Sequence, residues 1–211
     1  MALNTLELAS HGPVIPVIVI DRIEDALPMA EALLAGGVKV LEVTLRTAAA
    51  LPAIELIAKH LPEALVGVGT VLNAQDAQRA SAAGARFAVS PGYTSEVGQA
   101  CRALDLPLLP GVATSAEIMA ALADGYSFLK LFPAEAVGGV NLLKAWVSPF
   151  AQVSFCPTGG ITLVSAPNYL TLPNVRCVGG SWLTPADALR DKDWARITGL
   201  ARQTHSLRPA V

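Results

Sequence analysis

Short apolar segments recur along this chain at nearly even intervals, and helix-like segments separate them. Eight of them are rich in β-branched or aliphatic residues: 14–20, 38–44, 65–69, 86–90, 107–110, 128–132, 153–157 and 175–180. The alanine-rich segments between them have helical spacing; several begin at an Asn or Ser, and one ends at Gly36-Gly37. Eight βα units in 211 residues predict an α/β protein with a parallel sheet. The even spacing favours a (β/α)8 TIM barrel over a doubly wound open sheet. Because no linker interrupts the pattern, we expect residues 1–211 to form one domain.

The composition limits the classes of partner. Hydrophobic residues make up 53% of the chain and charged residues only 15%, whereas an average domain has about 25% charged residues. So much apolar material indicates a large core together with apolar surface that a second copy would cover, and we expect a homo-oligomer. The net charge of −2 provides no basic surface for nucleic acid or an anionic membrane. No apolar run reaches the roughly 18 residues of a membrane-spanning helix.

The cysteines and the N-terminal segment favour a reducing compartment. The three cysteines are odd in number and lack C-x-x-C spacing, so neither a disulfide framework nor a zinc site is predicted. The first basic residue is Arg22, which follows the apolar stretch 13–20, and this order does not fit a secretory signal. We therefore expect a cytoplasmic protein. No His, Asp and Glu cluster has the spacing of metal ligands, and we expect neither a metal nor a cofactor.

A lysine lies in the middle of the sixth apolar segment, FLKLF. Burying a lysine ammonium without a partner costs several kcal/mol, so Lys130 needs an explanation. One is that the stem of the side chain packs while its head reaches water or a carboxylate. The other is that the lysine faces the inside of a barrel, where a low dielectric disfavours the charged form and leaves an amine that can attack a carbonyl group.

A glutamate lies inside the second apolar segment, VLEVTLR. Val40, Glu42 and Thr44 share one face of the predicted strand, because side chains alternate between the two faces. An inward carboxylate can act as a general acid and base, or it can form an ion pair with Lys130 or Arg46. The two interpretations are compatible, since an enzyme can use such a pair at different steps.

Glycine pairs follow the seventh and eighth apolar segments. Gly159-Gly160 comes after the seventh, and Gly179-Gly180, followed by Ser181, comes after the eighth. Glycine lets backbone N–H groups approach an anion because it has no Cβ. In many barrels the loops after strands 7 and 8 hold a phosphate group. The two pairs therefore predict a phosphate site.

Seven segments, taken in chain order, resemble a known enzyme family. They are GVKVLEVTLR (37–46), GVGTVLN (67–73), SPG (90–92), PGVATSAE (110–117), FLKLFPAEAVGG (128–139), FCPTGG (155–160) and GGSWL (179–183). They cover nearly the whole chain and resemble the 2-keto-3-deoxy-6-phosphogluconate (KDPG) aldolases. These class I enzymes often also accept 2-keto-4-hydroxyglutarate (KHG). The resemblance implies a (β/α)8 barrel, a homotrimer and no metal.

The functional residues of that family fall on matching positions of this chain. The resemblance places the Schiff-base lysine on Lys130 and the acid/base glutamate on Glu42. The family's substrate-binding residues match Arg46, Thr70, Pro91 and Thr158. Its phosphate-binding residues match Gly159, Gly160, Gly179, Gly180 and Ser181.

Segment 161–170 departs from the family pattern. It lacks the Ser-Pro opening of the seventh helix, and Leu163 and Val164 stand where a helix-start signal is expected. We therefore expect an altered helix there, next to the predicted phosphate site.

The resemblance implies reversible cleavage of KDPG to pyruvate and glyceraldehyde 3-phosphate, and of KHG to pyruvate and glyoxylate. One alternative is the same cleavage of the galactonate C4 epimer, although the VTLRT stretch (43–47) favours the gluconate branch. Another is a phosphosugar isomerase or epimerase in which Glu42 is the base and Lys130 acts only through its charge. A non-catalytic phosphosugar-binding barrel would leave both inward charges unexplained.

Overall fold

Strands and helices alternate along the chain in the computed structural model, which describes residues 5–207. The strands are β1 Val14–Ile18, β2 Val40–Thr44, β3 Leu65–Gly69, β4 Ala88–Val89, β5 Leu108–Leu109, β6 Gly111–Val112, β7 Phe128–Leu131, β8 Ser154–Pro157 and β9 Val178–Gly180. The helices are α1 Thr5–Leu8, α2 Ala26–Ala35, α3 Ala50–His60, α4 Ala74–Ala82, α5 Ser95–Ala103, α6 Ser115–Ala123, α7 Gly139–Trp146, α8 Ala166–Leu170, α9 Ala186–Arg190 and α10 Trp194–Gln203. Each of the eight predicted apolar segments contains a strand, so the α/β prediction is confirmed. None of the helices in the described range is long and apolar enough to cross a membrane.

All strand pairs are parallel, and they form two hydrogen-bonded groups. One has the order β5-β4-β3-β2-β1-β9 and the other the order β6-β7-β8. Only Pro110 separates β5 from β6 in the chain, and its carbonyl oxygen accepts a hydrogen bond from the Lys130 N–H at 2.8 Å. At the other end, single bridges join Phe155 to Val175 and Thr158 to Gly179. The protein therefore has a curled parallel sheet with helices on its outer face.

The strands are buried on both faces, which is why they are uniformly apolar. Between the strands and helices lies the larger cluster of buried side chains, which includes Leu41, Val43 and Ile54. A smaller cluster lies on the inner face of the sheet: Leu8, Ala9, Ile15, Val40, Leu65, Phe87, Val89, Leu109, Phe128, Cys156 and Cys177. Val40 and Phe128 are each two residues before a charged residue, so alternation directs Glu42 and Lys130 to this same inner face.

The helix starts follow the expected capping chemistry, with one correction. Asn73 accepts a hydrogen bond from the Asp76 N–H and caps α4, as predicted. The caps of α5 and α6, however, are Thr94 and Thr114 rather than the serines that follow them. A threonine oxygen accepts the same bond as a serine oxygen, so the helix begins one residue later than predicted.

Segment 161–170 forms a turn and then a short helix. The N–H of Thr162 donates to Ser165 Oγ at 3.0 Å, and the N–H of Ser165 donates to Thr162 Oγ1 at 3.2 Å. Leu163 and Val164 lie inside this turn, and α8 begins after it at Ala166 with Pro167 in its first turn. The start signal is thus the Thr162–Ser165 pair with Pro167, which the sequence interpretation did not recognise.

Candidate active site

Lys130 and Glu42 meet on the inner face of the sheet, although they are 88 residues apart in the sequence. Lys130 Nζ lies 3.2 Å from Glu42 Oε1 and donates a hydrogen bond to it. Only 6% of the lysine side chain and 3% of the glutamate side chain are exposed. Of the two partners considered for Glu42, Lys130 and Arg46, the structure pairs it with Lys130. The notebook of strand positions agrees with alternation, because both residues point inward from the middle of their strands.

Gly69 on β3 makes room for the Glu42 carboxylate. A Cβ atom on Gly69 would lie only 2.4 Å from Glu42 Oε1, which is closer than non-bonded atoms approach. Phe132, which follows β7, covers the other partner, with Lys130 Nζ 5.2 Å from the centroid of its ring. This geometry fits a cation–π contact. The pair therefore lies in a confined space closed by a glycine on one side and an aromatic ring on the other.

The burial of this pair determines what it can do chemically. Desolvation disfavours both charges, while the carboxylate next to the ammonium favours them, so the two effects oppose each other. Transfer of one proton from Lys130 to Glu42 gives a neutral amine beside a carboxylic acid. A neutral amine is a nucleophile and a carboxylic acid is a proton donor, so a single short transfer prepares both groups.

Thr158 and Gly179 meet where β8 and β9 end. Thr158 is 5% exposed, and a Cβ atom on Gly179 would lie 2.1 Å from its Oγ1. A Cβ atom on Gly180 would lie 2.0 Å from the ring of Trp182. Close packing therefore explains why both positions are glycine, independently of any phosphate. Ser181, the next residue, is exposed.

Gly159 and Gly160 form a turn after β8 that only glycine readily adopts. Their φ angles are +104° and +80°, in the left-handed region. Within residues 5–207, the N–H groups of Gly160 and Ile161 donate to no acceptor. Two consecutive N–H groups without an internal partner are suited to binding an anion.

The three remaining predicted residues follow β2, β3 and β4, so they lie at the same edge of the sheet as the glycine turn. Arg46 is exposed, and its guanidinium group forms no hydrogen bond or ion pair with any residue in the described range. Thr70 has a φ of +64°, which is rare for a β-branched residue and is found mainly at functional sites. Pro91 is half-buried, and its carbonyl group lies against Gly111, where a Cβ atom would be 2.3 Å from it.

A cavity of about 640 Å³ lies beside this edge, between the chain that follows β1 and the chain that follows β9. Its lining includes Val17, Asp25, Ser181 and Trp182, but not Lys130 or any other predicted site residue. The cavity is therefore adjacent to the ion pair rather than centred on it. Within the described part of the chain, no group of three or more His, Cys, Asp or Glu side chains could hold a metal ion.

Sequence reasoning missed two residues next to the predicted groups. Phe132 packs over Lys130, and its place two residues after an inward lysine was a usable signal. Tyr169 on α8 donates a hydrogen bond to Glu135 at 2.7 Å, and Glu135 borders the glycine turn. No local pattern indicated this second contact, because the two residues are 34 positions apart.

Comparison with protein families gives a match to one model, described as KDPG and KHG aldolase, over residues 6–200. The 2-dehydro-3-deoxy-phosphogluconate aldolase of Dickeya dadantii is 53% identical over 197 residues, which cover 93% of this chain and 92% of that protein. The KHG/KDPG aldolase of Escherichia coli K12 is 55% identical over 196 residues, with the same coverage of 93% and 92%.

Among solved structures, a KDPG aldolase from Legionella pneumophila superposes with a TM-score of 0.95 at 49% identity. The match covers 97% of this chain and 100% of that one. That enzyme was captured with pyruvate as a covalent carbinolamine intermediate.

Proposed function

The chain belongs to the KDPG and KHG aldolase family, and from this premise we propose that it is a class I aldolase. It cleaves KDPG reversibly to pyruvate and glyceraldehyde 3-phosphate. The observation that carries the proposal is the buried contact of 3.2 Å between Lys130 Nζ and Glu42 Oε1. The relative named for both substrates supports cleavage of KHG to pyruvate and glyoxylate as well.

The reaction begins with proton transfer from Lys130 to Glu42. The free amine attacks the C2 ketone and forms a carbinolamine, and Glu42 returns the proton to the departing hydroxyl, which leaves as water. The product is a protonated imine on Lys130. Its positive nitrogen accepts the electrons of the bond that breaks next, so no free carbanion forms.

Carbon–carbon cleavage uses Glu42 a second time, now as a base. Its carboxylate takes the proton of the C4 hydroxyl, the C3–C4 electrons move into the imine, and the aldehyde leaves. The acid then protonates C3 of the enamine, and hydrolysis releases pyruvate and the free lysine. One carboxylate serves all these steps because they occur in sequence near the same atoms.

The substrate-binding roles follow from the edge at which the other residues lie. Arg46, which has no internal partner among the described residues, binds the substrate carboxylate together with Thr70 or Thr158, since a planar guanidinium group pairs well with a carboxylate. Pro91 contacts the substrate from the β4 loop. The phosphate is held by Gly159, Gly160, Gly179, Gly180 and Ser181. Of these, the left-handed turn at Gly159 and Gly160 has the strongest structural support.

We also infer that the curled sheet closes into a (β/α)8 barrel within one domain. If β5 and β6 are one strand interrupted at Pro110, the chain has eight strands. The single bridge between Thr158 and Gly179 then supports closure between β8 and β9. The inner cluster of side chains is what a closed barrel of eight strands would enclose.

The assembly we propose is a homotrimer in the cytoplasm. Leu72, Met119 and Val164 are 61%, 63% and 87% exposed, and such apolar side chains support a subunit contact. The three cysteines are unpaired, as is usual in a reducing compartment. Light scattering after size exclusion should give three times the 21.9 kDa of one chain.

Trapping with borohydride tests the chemistry directly. The enzyme is incubated with pyruvate, reduced, digested and analysed for the mass of one reduced pyruvate. We expect the label on Lys130 and undiminished labelling in Lys39→Met, which changes an exposed lysine. No label, or a label on Lys39, Lys59, Lys144 or Lys192, would refute the assignment.

Two further measurements separate the alternatives. An isomerase in which Lys130 acts only through its charge would convert phosphosugars without any trapped adduct. Comparison of kcat/KM for the gluconate and galactonate epimers decides between the two aldolase branches, and we expect the gluconate epimer to be preferred. Activity that survives a chelator would distinguish this mechanism from that of a metal-dependent aldolase.

A further inference from the structure

The segment after the lysine strand is attached to the glycine turn by backbone contacts. The N–H of Ala134 donates to the carbonyl oxygen of Thr158 at 2.8 Å, and the N–H of Glu135 donates to that of Gly159 at 3.1 Å. A Cβ atom on Gly160 would lie 2.7 Å from Glu135 Cγ. The turn therefore rests directly on the backbone and side-chain stem of Glu135.

Tyr169 fixes the other end of the Glu135 side chain. Its hydroxyl group donates to Glu135 Oε1 at 2.7 Å, while the tyrosine itself is only 1% exposed. A Cβ atom on Gly139 would lie 2.6 Å from that hydroxyl oxygen, so the first residue of α7 is shaped to admit it. Burial, and then the bond to the carboxylate, raise the pKa of Tyr169 above its ordinary value. The hydroxyl therefore stays a donor at any assay pH near neutrality.

The position of Glu135 is unusual for a group beside an anion site. The residue is exposed, and its stem contacts the turn in which the Gly160 N–H has no internal acceptor in the described range. A freely moving carboxylate there would repel a phosphate group. The bond from Tyr169 holds one carboxylate oxygen in place, and the stem then supports the turn.

We propose that Tyr169 and Glu135 are positioning residues that set the preference of this enzyme for phosphorylated over unphosphorylated sugar acids. The proposal rests on the proposed function, and specifically on phosphate binding at Gly159 and Gly160. Neither residue touches the reacting carbons. Their effect passes through the glycine turn to the distal end of the substrate.

The test compares Tyr169→Phe, which removes only the donor, with Glu135→Gln, which removes the charge and keeps an acceptor for Tyr169. Tyr126→Phe is the matched control, because it removes a tyrosine hydroxyl that donates to Gly98 at 3.1 Å, away from the turn. The values of kcat and KM are measured for KDPG and for the same sugar acid without its phosphate. Borohydride trapping of pyruvate reports whether the lysine site of each variant is intact.

We expect Tyr169→Phe to raise KM for KDPG about three- to tenfold, the effect of losing one hydrogen bond, with kcat unchanged. The KM for the unphosphorylated acid and the rate of trapping should stay at wild-type values. Glu135→Gln and Tyr126→Phe should keep the wild-type ratio of the two KM values.

Three results would overturn the inference. These are equal changes with both substrates, no change with either, or a loss of discrimination in Glu135→Gln as large as that in Tyr169→Phe. Failure of the proposed function would look different, because the wild-type protein would then neither trap pyruvate nor cleave KDPG.

Discussion

The contact between Lys130 and Glu42 allows stability and activity to be changed separately. Two charges 3.2 Å apart attract each other by about 5 kcal/mol at an effective dielectric constant of about 20. Lys130→Met keeps the length of the side chain but leaves the carboxylate buried without its partner. Glu42→Gln leaves the ammonium in the same position. Each single change should therefore lower the free energy of unfolding by about 3–5 kcal/mol, the usual cost of breaking a buried pair.

The double variant, Lys130→Met with Glu42→Gln, should be much more stable than the sum of the two losses predicts. Replacement of both members of a buried pair is often neutral or stabilising, because no isolated charge remains. The coupling energy of the cycle should thus be about 3–5 kcal/mol. Urea unfolding followed by circular dichroism measures it, at one fixed protein concentration because the unfolding of an oligomer depends on concentration.

Activity should follow a different order from stability. Both proteins that lack Lys130 should fail to trap pyruvate, and the double variant should be inactive even though it is stable. Glu42→Gln alone should keep the nucleophile and lose about 10²–10⁴ in kcat, the usual contribution of a general acid and base. Additive stability losses, with a coupling energy below about 0.5 kcal/mol, would refute the buried pair. An active double variant would refute the mechanism.

Three other predictions follow from single contacts. Gly69→Ala should lower kcat about ten- to hundredfold, because a Cβ atom 2.4 Å from Glu42 Oε1 displaces the carboxylate, whereas Gly199→Ala, with nothing within 4 Å, should leave kcat unchanged. Burial, and then its bond to Asp124, raise the pKa of Tyr93 from 10.0 to about 12, so this contribution to stability is complete below pH 10 and is lost as the pH rises to about 12; in urea unfolding at a series of pH values, Tyr93→Phe should reduce that loss. Burial raises the pKa of the Cys101 thiol to about 11, and all three cysteines are buried, so a thiol reagent should label none of them at pH 8 in the native protein and all three after unfolding.

The regular order of strands and helices was predictable because it depends on local properties of the chain. A parallel strand covered on both faces must be apolar throughout, and segments 38–44 and 128–132 became strands at the places their composition indicated. Helix starts were less certain, because Thr94 and Thr114 provide the same oxygen as the serines beside them. Segment 107–110 was taken as one strand, but Pro110 has no N–H to donate and interrupts the ladder.

The candidate site was predictable only as far as alternation along a strand reaches. The sequence showed that Lys130 and Glu42 are too polar for their surroundings, and inward alternation explained both. It did not show that Lys130, rather than Arg46, is the partner of Glu42, since that depends on how strands 88 residues apart are aligned.

The backbone of Thr70 shows a second limit of sequence reasoning. Its φ of +64° is unfavourable for a threonine, and nothing in the local sequence announces it. Hydrogen bonds of the neighbouring residues explain how the conformation is held: the carbonyl oxygen of Gly69 accepts from the Leu45 N–H, and the Val71 N–H donates to Val89. Thr70 is thus fixed between β2 and β4 at the edge where Arg46 and Pro91 also lie. Strain of this kind persists only where the surrounding strands impose it, and it therefore belongs to the assembled sheet rather than to any segment of the chain.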